Sequence, residues 1–476
     1  MWKNSFFVGF SVFVIFGMLM SAIPRESQAI PPFARKYATA CPTCHVVFPK
    51  LNQFGRQFRA NGYRIPVGEE MFIKDEPAGG QMLLGAKPWK KLFPNAIWPS
   101  DIAGTVPIGA FVDQRIRFKT KERGAGSKAP RTIFEGIHEF ELLVGGTFGE
   151  RFSFFGDPKV WEGTEKPTEI GRLFIQYNRS PQFNLRFGIL EPRAIMPFSK
   201  HRQWIRMEEH LMNNTPTISP GGNDLAKFSF RKSEGFEFFG AKEYGRHGIE
   251  YAAGVLSGKN WDSSKNSEGY AGGSASWREV DSDKDWYVAL AWKIGGMGVV
   301  GKEEETEELV QTQNWRDDSV KLGAFYYNGR TDVPNEFPGS HVADKIGANH
   351  FIRTGLTMDL FYGDANIMAG AQFMRNTARD FEAPFDHKDF DAMLYEVELD
   401  YVVYPWLLPG IRYELFDPSN YDGGTSGDDN GFQKLTANIS LLGAANVKMM
   451  LEGTTKFDND KVGRQEEFRV SFNWTF

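Results

Sequence analysis

The carboxyl-terminal stretch constrains the fold most. Phe468, Val470, Phe472, Trp474 and Phe476 alternate with Arg469, Ser471, Asn473 and Thr475. Successive side chains of a strand point to opposite faces, so one face here is aromatic and the other polar. An aromatic strand ending in a terminal Phe is similar to the closing strand of outer-membrane barrels. The same period of two recurs upstream. Met393, Tyr395, Val397, Leu399 and Tyr401 oppose Glu396, Glu398 and Asp400, and Ile411, Tyr413 and Leu415 oppose Arg412 and Glu414. Phe183, Leu185, Phe187 and Ile189 oppose Asn184, Arg186 and Gly188. Ile108, Ala110, Val112, Ile116 and Phe118 oppose Asp113, Arg115 and Arg117. Such segments from Ile108 to Phe476 predict about sixteen strands.

Alternation alone fits a soluble sandwich or a large periplasmic β-protein as well as a barrel. Composition separates them. The 476 residues include 42 Phe, 15 Tyr, 12 Trp and 50 Gly, yet mean hydropathy is low. Many aromatics at low hydropathy suit strands with one lipid face and one wet face. Past the N-terminus no run of about 18 apolar residues occurs, so no helix is expected to span a membrane. The expectation is an all-β chain: a transmembrane antiparallel β-barrel of residues 108–476. The polar stretches 261–276, 332–349, 377–389 and 417–430 read as its external loops. Asp380, Glu382, Asp386 and Asp389 in one, and Asp417, Asp422, Asp428 and Asp429 in another, suit solvated loops or the gathering of a cationic donor. The Glu303, Glu304, Glu305, Glu307, Glu308 run reads as a solvated turn. A net charge of −5 argues against nucleic acid as a partner.

Lys3, the apolar run from Phe6 to Met20 and the small-residue site Ser27-Gln28-Ala29 read as a signal peptide over 1–29, with an uncleaved anchor as the alternative. Shortly after it comes Cys41-Pro42-Thr43-Cys44-His45, which holds the only 2 cysteines of the chain. Two thiols at this spacing can add to the vinyl groups of one haem, and the adjacent imidazole then becomes its proximal iron ligand. Redox dithiols and half zinc sites share Cys-x-x-Cys, but a dithiol needs no His45 and a zinc site lacks further cysteines here. One covalent haem c suits one-electron transfer and export from the cytosol.

The next residues predict one helix opening at Pro49 and closing at Asn61-Gly62. Leu51, Phe54 and Phe58 share a face, with Gly55 permitting close approach, to cover a haem plane or to form a small core on the barrel wall. Arg35, Lys36, Lys50, Arg56, Arg59 and Arg64 suit haem propionates or acidic pore-lining groups. For a distal iron ligand the candidates are Met71 and Met82 in the Pro- and Gly-rich linker 65–107, or His138 in the barrel. His201 and His210 flank Trp204 in a loop.

Pro32-Phe33-Ala34-Arg35, Cys41 to His45, Phe48-Pro49-x-Leu51-Asn52-x-Phe54-Gly55, Phe58 and Asn61-Gly62-Tyr63 together resemble the fused cytochrome–porins. Their best-known members are the outer-membrane iron-oxidising cytochromes of iron-oxidising bacteria. The resemblance implies a small α-helical c-type cytochrome domain, here residues 30–64, that plugs or lines a sixteen-stranded pore. It also implies electron flow from extracellular Fe(II) to a periplasmic carrier. The same motif fits a related fused porin with another donor or acceptor, and a porin whose haem is structural.

Overall fold

The structure is a computed structural model. It describes residues 33, 37, 41–65, 108–121, 132–148, 151–162, 169–195, 198, 210–215, 228–230, 233–257, 284–301, 313, 315–334, 346–379, 389–419, 431–458 and 465–475. The signal-peptide segment, the linker past Ile65, the Glu303–Glu308 run and most of the acidic loop positions lie outside these residues.

Sixteen strands form one closed barrel. In chain order they are β3 (Ile108–Lys121), β4 (Thr132–Phe148), β5 (Phe152–Glu162), β6 (Glu169–Ser180), β7 (Phe183–Leu190), β10 (Ser233–Tyr244), β11 (His247–Ser257) and β12 (Lys284–Gly295). Then follow β13 (Ser319–Pro334), β14 (Ile346–Tyr362), β15 (Ala365–Arg379), β16 (Asp389–Tyr401), β17 (Leu407–Ser419), β18 (Phe432–Ala444), β19 (Val447–Asp458) and β20 (Gln465–Thr475). Each pairs antiparallel with its sequence neighbour in the barrel, and β20 closes on β3 with Val470 opposite Ile116 and Phe468 opposite Phe118. Closure leaves no strand edge, which removes the unpaired backbone groups that hydrocarbon cannot solvate.

The alternation resolves as the sequence predicts. On β16, Tyr395, Val397, Leu399 and Tyr401 are exposed on the outer face, whereas Glu396, Glu398 and Asp400 are buried in the lumen. Arg412 and Glu414 are likewise buried between the exposed Ile411 and Tyr413. Many of the buried charges are paired with one another. Arg172 reaches Asp157 at 2.6 Å and Glu191 at 3.1 Å, and Arg186 reaches Glu237 at 2.7 Å. An exterior of apolar side chains around an ionic interior is the reverse of a soluble protein and suits lipid outside.

The two rims differ. Arg151 and the turns 181–182, 245–246, 363–364, 402–406 and 445–446 lie on one rim, together with the start of β3 and the end of β20. Gly245 and Gly363 take positive φ in two of these two-residue turns, as tight hairpins demand. Exposed Tyr244, Trp292, Tyr362, Tyr401, Trp406 and Trp474 stand at this short-turn rim. Trp161 and Trp286 stand toward the other. Such belts of amphipathic rings mark the two membrane interfaces of a barrel.

The described N-terminal residues pack against the inner wall of the barrel. They form one turn of 3-10 helix (Cys41–Thr43), a two-stranded sheet of β1 (His45–Val47) and β2 (Lys50–Leu51), and one helix, α1 (Gln53–Ala60). The helix therefore starts after Pro49 rather than on it. Pro49 lies in the turn of the β1–β2 hairpin, and Asn52 caps α1 by accepting a hydrogen bond from Gly55 N at 2.8 Å. A second segment, between β7 and β10, also enters the lumen and carries β8 (Asn214–Thr215) paired with β9 (Phe228–Ser229). One buried apolar cluster joins Tyr37, Phe54, Phe58 and Tyr63 of the N-terminal segment to Phe198, Leu211, Met212 and Phe230 of this second one, and both to the wall.

Candidate functional site

Asn52 ties the cysteine motif to α1. Its backbone N–H donates to Cys44 O at 3.0 Å, and its side-chain Nδ2 donates to Thr43 O at 3.0 Å and Pro42 O at 3.3 Å. A Cβ placed on Gly55 would lie 2.1 Å from Cys44 O, so only glycine lets the helix approach the motif this closely. The sequence reading of Gly55 as a close-approach position holds. The face with Phe54 and Phe58 packs as a small core: Phe58 meets Phe33 at 5.5 Å and Tyr37 at 5.6 Å, and Tyr63 stacks on Phe33 at 4.7 Å and Phe155 at 5.3 Å.

Cys41 and Cys44 are free thiols. Burial pushes Cys41 up to about 11 and Cys44 up to about 12. Redox dithiols have the opposite shift, because the thiolate is their nucleophile. His45 follows on β1, and its Nδ1 lies 3.2 Å from Pro49 O. With the proton on Nδ1 donated to that carbonyl, Nε2 keeps its lone pair for a metal. Burial pushes His45 down to about 4, so the imidazole is neutral, its ligating form. Phe48 lies 5.3 Å from the His45 ring and 5.6 Å from Phe111 on β3. Two unpaired thiols, an oriented neutral imidazole and aromatic neighbours are the donor set a c-type haem takes, so the residues present fit that group.

The segment is held in the short-turn mouth of the barrel by ions and hydrogen bonds. Lys50 pairs with Asp400 on β16, Arg56 Nη1 lies 2.5 Å from Asp359 Oδ2 on β14, and Arg59 lies 3.6 Å from Glu191. The three basic residues thus meet acidic groups that line the pore. Gln53 Nε2 donates to Gly298 O at 2.9 Å, Arg64 donates to Phe152 O at 2.8 Å, and Lys448 donates to Phe48 O at 2.7 Å. Val47 packs with Val402 and Leu408 at the 402–406 turn.

The distal candidates fare differently. Met71, Met82 and His201 lie outside the described residues. His138 stands on β4 with Nδ1 2.7 Å from Glu135 Oε2. His210 is buried in the second luminal segment and pairs with Glu396. Glu398 is the next inward residue of β16, with Oε2 3.8 Å from His210 Nε2. That His–Glu–Glu grouping was not legible in the sequence, where His210 and Glu396 lie 186 positions apart.

No protein-family model matches the chain, and no curated protein matches it in sequence. Among solved structures it is similar in outline to the outer-membrane channel DcaP of Acinetobacter baumannii, at 11% identity over 78% of this chain and 97% of that one, TM-score 0.47. It is similar to Salmonella typhi OmpF in complex with daunomycin at 11% identity over 78% and 97%, TM-score 0.47. It is also similar to the anion-selective porin from Comamonas acidovorans at 11% identity over 78% and 98%, TM-score 0.43. The closure and strand order described above are read from this chain's own pairing.

Proposed function

We propose that this chain is an outer-membrane electron-transfer protein that would hold one c-type haem in its barrel, with extracellular Fe(II) as electron donor and a periplasmic carrier as acceptor. One observation carries the reading: Cys41, Cys44 and His45 sit inside the mouth of a closed, lipid-faced barrel, with the His45 Nδ1 held at Pro49 O. In barrels of this type short turns face the periplasm, so the rim that receives the motif is the periplasmic one. A carrier on that side then has the shorter path to the motif.

Cys41 and Cys44 would hold the haem through thioether bonds, and His45 Nε2 would ligate its iron. When bound, the haem supplies one-electron redox chemistry. The chain does the rest. Pro49 O fixes the tautomer and orientation of His45. Asn52 and Gly55 lock the motif against α1. Lys50, Arg56 and Arg59 seat the segment against the wall. Phe48 and Phe111 exclude water beside the imidazole. Tyr37, Phe58, Phe198 and Phe230 belong to one buried apolar cluster inside the barrel, which suits an electron path better than a solute channel.

The test is covalent haem on the purified full-length chain. Haem stain should remain with the denatured polypeptide, and Cys41→Ser or Cys44→Ser should remove it. A chain that matures in a host with cytochrome c assembly yet carries no covalent haem overturns the reading.

A further inference from the structure

We infer that His210, Glu396 and Glu398 form a binding site for a divalent first-row transition cation inside the barrel. This deepens the proposed function, and rests on it for one point, the identity of the natural occupant as Fe(II). One ligand atom from each side chain lies within 4.8 Å of the other two. That is the span available to ligands about 2.0–2.4 Å from a shared ion. All three side chains are at most 1% exposed.

The second observation is Glu398 itself. It is fully buried, and among the described residues no group donates a hydrogen bond to either carboxylate oxygen. Its Oε2 lies 3.8 Å from His210 Nε2 and 3.6 Å from Arg412 Nη1. A buried carboxylate without a hydrogen bond is costly unless a charge answers it. The wall adds to that demand, because Glu396 stands directly opposite Glu414 in the β16–β17 ladder. Like charges directly opposed on one face destabilise a sheet. Glu414 is answered by Lys434 at 2.9 Å and Arg412 Nε at 3.2 Å, and Asp400 by Lys50. Glu396 and Glu398 are left to His210 and one end of Arg412.

The donor set selects the cation. One imidazole with two carboxylates suits iron, zinc, cobalt or manganese rather than magnesium or calcium, which take oxygen alone. Met212 N donates to Glu396 Oε2 at 3.2 Å and Leu211 N to Glu414 Oε1 at 3.0 Å, so the backbone around His210 is fixed on the wall. The site also adjoins the motif segment. Glu398 precedes Asp400, the partner of Lys50, by two residues, or about 7 Å along the strand.

The experiment is Co(II) binding to the oxidised, detergent-solubilised full-length protein, read by equilibrium dialysis and by the visible d–d bands of Co(II). One ion per chain is expected, with bands showing nitrogen ligation. Glu398→Gln and His210→Ala should each weaken binding at least about tenfold. Glu398→Gln preserves side-chain size, and unchanged haem content with heat-modifiable gel mobility reports an intact barrel. No stoichiometric uptake, or uptake equal in both variants and the parent, overturns the site. Co(II) uptake without haem reduction by Fe(II) upholds the site and removes the iron-oxidising reading. Haem reduction by Fe(II) without Co(II) uptake does the reverse.

Discussion

Lys50 of the N-terminal segment and Asp400 of the barrel wall, 350 positions apart, form an ion pair with both side chains 1% exposed. Removing one partner strips the other buried charge of this ion pair, which costs about 3–5 kcal/mol, whereas removing both costs less. Lys50→Ala should therefore loosen the segment and expose it to protease. The double variant Lys50→Ala/Asp400→Ala should be less destabilised than the sum of the singles. Urea unfolding in detergent measures the cycle, and strictly additive singles would show that the pair does not hold the segment.

Gly55→Ala places a methyl group 2.1 Å from Cys44 O. The backbone there cannot yield without moving either α1 or the motif, and overpacking of this kind costs about 1–3 kcal/mol. Haem content per chain should fall in this variant while barrel assembly persists. Equal haem content and equal stability would mean that the contact is relaxed at no cost.

Asp364, in the 363–364 turn, accepts hydrogen bonds from Arg316 at 2.8 Å and from Trp315 Nε1 at 2.9 Å. The Arg316 hydrogen bonds first, then Trp315, hold its carboxyl below the usual aspartate value. A depressed folded value means the contact stabilises above the unfolded value and is lost as pH falls through the folded one. Trp315 emission should change with a midpoint below the usual aspartate value, and the change should vanish in Asp364→Asn. A midpoint above the ordinary aspartate range would contradict the contact.

The two luminal segments should block ion flow. In planar bilayers the intact chain should conduct weakly, and Lys50→Ala/Arg56→Ala should raise conductance by freeing the mouth. High conductance of the intact chain would favour a passive porin with a structural haem.

What the sequence made legible was local. Alternation at Tyr395–Tyr401 and Phe468–Trp474 located both faces of the wall, because a strand's period is a property of adjacent residues. The same holds for the close approach at Gly55. The helix start shifted because Asn52, not Pro49, supplies the capping oxygen. Contacts across the lumen were illegible. Nothing near Lys50 names Asp400, and nothing near His210 names Glu396, since barrel closure and the inward path of the β7–β10 segment bring them together. The pairing of Arg56 with Asp359 on the wall and of Arg59 with Glu191 just past β7 was foreseen only as a class of partner.

The most direct test of the account is stopped-flow absorbance on oxidised outer membranes carrying the matured protein, with Fe(II) added from outside and Cys41→Ser membranes as control. The account predicts rapid growth of the reduced-haem band, absent from the control. A haem that dithionite reduces and external Fe(II) leaves oxidised would contradict it.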